Sequence, residues 1–220
     1  TTLGTTLVLK VVADKEVSGP GFYSHRLPAS RWLAGAASNL GGISFSKFSA
    51  DIEQWNEKAA AHSYASHIVY PLVGTGERFP IADSTMRALH SGDPTSKTDE
   101  FRGILEGIAF AERLSYEILG AAGAPSNGEL FTVGGGSKSQ LWNSIRAAVM
   151  NRTITLVEDA GSDLGAARLA HAAHLGRDIA ASLDSFSSST PEHVYPDKND
   201  VIYYEDRYQE FLSLCKVGTP

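Results

Sequence analysis

The sequence predicts a mixed α/β fold with the element order βββαβαβα, a mixed sheet flanked by helices, followed by one more helix. Three observations predict it. The first forty residues alternate aliphatic and β-branched runs with strong turn signals. The stretch after Asp93 alternates helical with strand-like patterns, which implies parallel strands joined by helical crossovers. Within it, Leu130-Phe131-Thr132-Val133 runs straight into Gly134, Gly135 and Gly136, and a helical pattern begins after Ser137.

In order, Leu3 to Ala13 reads as a buried strand with a turn near Gly4-Thr5-Thr6. Val17 to Gly21 is a turn, and Phe22 to His25 and Arg31 to Ala34 are the next short strands, together an antiparallel meander. Ser38-Asn39-Leu40-Gly41-Gly42 is a loop. Ile43 to Ala61 reads as a helix, with Phe45, Phe48, Ile52 and Trp55 on a core-facing stripe. Tyr70 to Pro80 is an ordered loop in which Glu77 and Arg78 are expected to pair. Thr85 to His90 reads as a short helix.

A long helix follows from about Thr98 to Ala122, with Asp99 and Glu100 in its first turn and Gly123 and Pro125 ending it. Gly103 and Gly107 share one face of it and imply close packing against a neighbour. The strand to Val133 is followed by a helix from Lys138 to Met150 and a strand from Thr153 to Val157. Ser162 and Asp163 are expected to cap an alanine-rich helix ending at Gly176. Ser185 to Thr190 reads as a linker. Val201 to Leu214 is a terminal helix docking through Tyr204, Tyr208, Phe211 and Leu212.

At 220 residues the chain suffices for one domain with a large core. A net charge of −6 argues against non-specific nucleic-acid binding. The one cysteine, Cys215, cannot form an internal disulfide. Lys10 interrupts the apolar run Leu7 to Ala13, which reads as a strand and not as a membrane span. His171 and His174 stand three apart on a helix, but no third ligand is suggested, so no metal site is expected. The chain opens on Thr1 in mid-pattern, without methionine, and is expected to be a fragment lacking an N-terminal part.

A strand–glycine–helix turn lets a ligand approach the backbone and offers helix N–H groups to an anion such as a pyrophosphate. A tight βα turn also takes glycine for steric reasons alone, so this feature leaves both readings open. Neither G-x-x-x-x-G-K-[ST] nor a strand-borne G-x-G-x-x-G is present, so any nucleotide cradle is of another kind.

Five segments, in order, carry a family resemblance. They are Gly4-Thr5-Thr6, Gly76-Glu77-Arg78-Phe79-Pro80, Gly103 to Ile108 with Glu117, Gly134 to Asn143, and Asp163-Leu164-Gly165-Ala166-Ala167. The set resembles the C-terminal, actin-like ATPase domain of the FGGY carbohydrate kinases. Gly4 to Lys10 and the Ala37 to Gly42 loop resemble the pentulose branch, xylulokinase-like or ribulokinase-like.

The resemblance implies a ribonuclease H-like half-domain over residues 1–184, a linker and docking helix over 185–220, and an N-terminal domain outside this chain. It implies a phosphotransferase that moves the γ-phosphoryl of ATP to a sugar hydroxyl between two domains. Gly4, Thr5 and Thr6 are then phosphate-binding, and Gly134, Gly135, Gly136, Ser139, Trp142 and Asn143 adenosine-binding. Trp142 is a candidate wall for adenine, with core packing as its other reading. Ser139 departs from the asparagine often found there. Mg²⁺ is implied, held through the nucleotide and the other domain, which also supplies the general base and most sugar contacts. No catalytic residue is therefore expected here, and the isolated chain is expected to be inactive. The implied partners are ATP, ADP and, through the other domain, a sugar, without nucleic acid or membrane. A homodimer is left open, and the location implied is cytoplasmic. The competing reading is a non-catalytic nucleotide-binding or regulatory module of the same superfamily.

Overall fold

The computed structural model describes residues 1–27, 30–48, 51–157, 161–177 and 191–218. Two short sheets join into one. In the first, β1 (Thr2–Leu3), β2 (Leu7–Ala13), β3 (Phe22–Arg26) and β4 (Trp32–Ala37) lie in the order β1-β2-β4-β3, all antiparallel. In the other, β7 (Leu130–Thr132) pairs parallel with β8 (Ile154–Leu156), which pairs antiparallel with β9 (Glu192–Val194). Leu3 N–H donates to the Val133 carbonyl at 2.8 Å and Val133 N–H to the Thr1 carbonyl at 3.0 Å, a parallel bridge that sets β1 beside β7. The combined order is β3-β4-β2-β1-β7-β8-β9.

The parallel neighbours behave as expected of βα crossovers, but the meander does not. β4 inserts between β2 and β3 instead of following β3 outward. Composition explains this: Ala34, Gly35 and Ala36 are buried and carry no charge, whereas Tyr23, His25 and Arg26 of β3 face water. Polar side chains suit an edge strand and small apolar ones an interior strand.

Two helical expectations also fail in part. Ile43 to Ala61 is a 3₁₀ turn at Gly42–Phe45 and a separate helix, α1 (Ile52–Ala60), capped by Asp51, whose carboxylate accepts from Gln54 N–H at 3.0 Å. Thr85 to His90 holds no helix. The Asp83 carboxylate takes the Thr85 N–H and hydroxyl, both at 2.7 Å, which makes a turn. Leu89–Ser91 then forms β6, antiparallel to β5 (Ile68–Tyr70).

The long helix α2 (Lys97–Ala121) is the axis of the core. Ser96 caps it, accepting from Asp99 N–H at 3.1 Å. Phe101, Leu105, Ile108 and Leu114 are all at most 1% exposed. Gly103 and Gly107 admit β5 and the residue before it: a Cβ on Gly107 would lie 2.1 Å from the Val69 carbonyl oxygen, and one on Gly103 would strike the His67 ring. α3 (Gln140–Met150) follows the triple glycine, and α4 (Ser162–His174) starts after Gly161. Ser162 and Asp163 are the first residues of α4 rather than its cap, and no side chain caps it.

The last helix, α5 (Lys198–Cys215), docks as expected through Tyr204, Tyr208 and Phe211, all at 0% exposure. Their rings meet Phe110 at centroid distances of 5.4–6.1 Å. The expected linker, Ser185 to Thr190, lies outside the described residues. Among the described residues no helix is long and apolar enough to cross a membrane.

Candidate nucleotide cleft

β1 and β7 are parallel neighbours, so their C-terminal ends lie at the same end of the sheet. Each runs into a glycine turn there, Gly4–Thr6 and Gly134–Gly136. In open α/β sheets, ligands sit at the carboxyl ends of the strands. Gly4 and Thr5 of the first turn and Gly135 and Gly136 of the second line one cleft of about 1030 Å³. Two turns about 130 residues apart in sequence thus share one opening because two strands share one direction.

The 41–43 loop holds the first turn. Gly42 N–H donates to the Gly4 carbonyl at 2.8 Å and Ile43 N–H to the Thr5 carbonyl at 3.1 Å. Thr6 does not reach the cleft; its carbonyl accepts from Gly4 N–H at 3.2 Å, within the turn. Asn39 stands apart from it as well: its amide donates to the Gly76 carbonyl and its N–H to the Glu77 carboxylate.

The three glycines of the second turn are glycine for different reasons. Gly134 has φ +96° and ψ 175°, and a Cβ there would lie 2.6 Å from the Leu3 carbonyl oxygen. A Cβ on Gly136 would lie 2.6 Å from the Trp142 ring. A Cβ on Gly135 would meet nothing within 4 Å. The fold therefore requires the outer two and leaves the middle one open to the cleft. The turn leads into a 3₁₀ segment, Gly135–Lys138, before α3 begins, so α3 does not start at the glycines themselves.

The remaining expected site residues divide. Ser139 lines the cleft and caps α3, accepting from Trp142 N–H at 3.1 Å and donating to Asn56 Oδ1 at 2.8 Å. Trp142 is 4% exposed, its indole N–H donates to the Leu105 carbonyl at 3.1 Å, and its ring meets Phe45 edge-on. It packs against Gly136 and also borders the cleft, so both readings of it hold in part. Asn143 is fully buried and neither borders the cleft nor lies on the helix surface. Its amide donates to the Ser137 carbonyl at 2.7 Å and its oxygen accepts from Arg146.

Arg146 anchors this whole corner. It pairs with Glu112 through Nε at 2.6 Å and Nη2 at 2.8 Å, with both side chains at 0% exposure, and reaches Thr132 Oγ1 at 3.0 Å. Burial pushes the Glu112 carboxyl up, but the Arg146 guanidinium outweighs it and holds that carboxyl below its ordinary value. The pair ties α2 to α3 and to the end of β7, which fixes where the glycine turn points.

The expected Glu77–Arg78 ion pair is absent among the ion pairs of the described residues. Glu77 is buried and accepts from the Ser38 and Tyr70 hydroxyls, both at 2.9 Å, and from the Asn39 and Arg78 N–H groups, both at 2.7 Å. Arg78 instead donates to the Ser38 carbonyl at 3.1 Å. Burial first, and then the Glu77 carboxylate, push the Tyr70 phenol well above its ordinary value.

Sequence reasoning missed the wall made by α1. Ile52, Glu53, Asn56, Glu57 and Ala60 line the cleft at helical spacing, with Phe45, Phe48 and Leu105 as its floor and Lys138 at its rim. The stripe read as core is therefore also cleft, and Lys138 borders it. The signal was present in the alternation of Ile52 and Ala60 with Asn56 on one helical face. Chemically, the cleft lining offers glycine-exposed backbone at Gly4, Gly135 and Gly136, a threonine hydroxyl, apolar side chains and the amides of Asn56 and Gln140. No group of three metal-ligating side chains occurs among the described residues.

The chain resembles known proteins along nearly all of its length. A xylulose kinase of Staphylococcus xylosus is 24% identical over 97% of this chain and 46% of its own length. The chain spans about half the length of the curated relatives it matches. Among solved structures, a ligand-bound xylulose kinase from Lactobacillus acidophilus superposes with a TM-score of 0.83 at 22% identity, over 98% of this chain and 46% of that one. A Plasmodium falciparum glycerol kinase with ADP gives 0.73 at 19%, over 96% and 46%. The fold is thus the actin-like half-domain. The model of the C-terminal domain of the FGGY family of carbohydrate kinases matches residues 1–174, and the chain belongs to that family.

Proposed function

We propose that this chain is the ATP-binding half of an ATP-dependent kinase that phosphorylates a hydroxyl of a pentulose such as xylulose or ribulose. Gly135 is the single observation that carries the nucleotide reading. The fold gives no reason for glycine at that position, and the missing side chain leaves room for a ligand against the backbone. The residues fit the group: backbone at Gly4 and Thr5 for phosphates, the open Gly135 surface for the ribose, and the apolar floor for the base. ATP would supply the transferable phosphoryl group, with Mg²⁺ carried on it.

Phosphoryl transfer depends chiefly on positioning and charge stabilisation. This chain's part is to hold and orient the nucleotide. The sugar and the general base belong to the N-terminal half in this reading, which follows the names of the relatives for the sugar. Residues 1–184 would form the nucleotide domain and 185–220 the linker and docking helix, in a cytoplasmic protein.

Calorimetric titration of the chain with MgATP tests the reading. Saturable binding with a Kd in the range of roughly 1 μM to 1 mM is expected, with ADP competing. Absence of heat at millimolar MgATP would overturn it. With xylulose or ribulose added, the chain alone should not turn over at ~1 s⁻¹, an ordinary kinase rate; turnover at that rate would show that the general base lies within it.

A further inference from the structure

Resting on that reading, we propose that Asn56 reads the polar edge of the nucleobase and makes the cleft select adenine over guanine. The phosphates have one end of the cleft assigned by chemistry. Gly4 and Thr5 present backbone and a hydroxyl there, while the carboxylates of Glu53 and Glu57 on α1 line the same cleft and repel an anion near them. The base therefore lies toward α1, over the apolar floor.

On that wall Asn56 is the one neutral amide, and its orientation is fixed on both sides. Its Nδ2 donates to the Ile52 carbonyl at 3.0 Å, and a carbonyl only accepts, so the nitrogen is identified. Its Oδ1 then faces Ser139, whose hydroxyl donates to it at 2.8 Å. Ser139 in turn accepts from Trp142 N–H, so its hydroxyl is oriented by the cap of α3 and cannot rotate away without cost. The bond bridges 83 residues and locks α1 to the glycine turn.

An amide has two N–H groups and two lone pairs. After these bonds Asn56 keeps one N–H and one lone pair. That donor–acceptor pair matches the N6 amino group and N7 of adenine. Guanine presents two acceptors, O6 and N7, on the same edge and satisfies only the N–H.

The test is calorimetry of the chain and its Asn56→Ala and Asn56→Asp variants with MgATP and MgGTP. Asn56 sits on a partly exposed helix face where alanine is a better helix former, so folding is retained, and circular dichroism checks it. The unmodified chain should prefer ATP by about tenfold, the equivalent of one bidentate contact. Asn56→Ala should weaken ATP binding by about that factor and leave GTP within about twofold, so the preference collapses. Asn56→Asp, which keeps the acceptor alone, should fall between. Equal loss of both nucleotides, or an unchanged ATP preference in Asn56→Ala, would overturn the assignment while leaving the cleft as the nucleotide site. Absence of ATP binding by the unmodified chain would remove the nucleotide reading itself, and this assignment with it.

Discussion

Replacing each glycine of the Gly134–Gly136 turn by alanine separates what the fold needs from what a ligand needs. Gly134 lies at φ +96°, ψ 175°, a region essentially restricted to glycine, and an added Cβ would press on the Leu3 carbonyl oxygen at 2.6 Å. Backbone strain of this kind costs about 1–3 kcal/mol, and here the obstacle is backbone that belongs to the strand pairing. Gly136→Ala would put its Cβ 2.6 Å from the Trp142 ring and 2.8 Å from Leu3 Cβ. Overpacking of that sort costs about 1–3 kcal/mol. Gly135→Ala meets nothing and should stay within about ±0.5 kcal/mol. For a chain of 220 residues, about 1 kcal/mol corresponds to roughly 2–4 °C in Tm. Thermal melts followed by circular dichroism should therefore show Gly134→Ala and Gly136→Ala melting about 2–12 °C low and Gly135→Ala within about 2 °C of the parent. If Gly135→Ala melted as low as its neighbours, Gly135 would be a packing residue and the open cradle would not exist.

Other perturbations read the same framework. Arg146→Met strands the Glu112 carboxylate at 0% exposure and should cost about 3–5 kcal/mol, measured by urea unfolding; a loss under about 1 kcal/mol would show that the pair is not buried as described. Burial pushes the Asp99 carboxyl up, but donors from Ser66 and Thr95 outweigh it and hold it well below the ordinary range. A depressed carboxyl stabilises the fold above its unfolded pKa, and that stability is lost as pH falls through the folded value. Stability should accordingly decline below about pH 4 in the parent and less in Asp99→Asn; parallel profiles would contradict this. Cys215 is 9% exposed, and burial pushes its thiol up to about 12. It should resist a thiol reagent at pH 8 in the native state and react in urea, and native labelling at a free-thiol rate would show that α5 does not dock.

What the sequence made legible follows the range of the interaction responsible. α2 came within a residue at each end because its cap, Ser96, and its stop, Gly123, are local. The glycine turn was readable for the same reason, the parallel β7–β8 pair from the helical pattern between its strands, and the docking face of α5 from its own helical period. β6 was not, since three residues, Leu89–Ser91, become a strand only by pairing with Ile68–Tyr70 about twenty residues away. The insertion of β4 between β2 and β3 was written in the small residues Ala34, Gly35 and Ala36, but chain order suggested a meander. At the site, residue type misled twice. Asn143 belongs to the buried Arg146 network, and Glu77, next to an arginine in sequence, is satisfied by neutral donors instead. Asn56 went unnoticed because its partner, Ser139, is 83 residues away.

The central claim is that a nucleotide lies against the Gly134–Gly136 turn, across from Gly4 and Thr5. Gly135→Val tests it most directly, because its side chain would enter the cleft and touch nothing in the protein at Cβ. With folding verified by its melt, MgATP is titrated into parent and variant side by side. The expected result is a loss of affinity of about tenfold or more, from steric exclusion worth about 1–3 kcal/mol. Equal affinity in the two proteins would contradict the claim and move the nucleotide elsewhere.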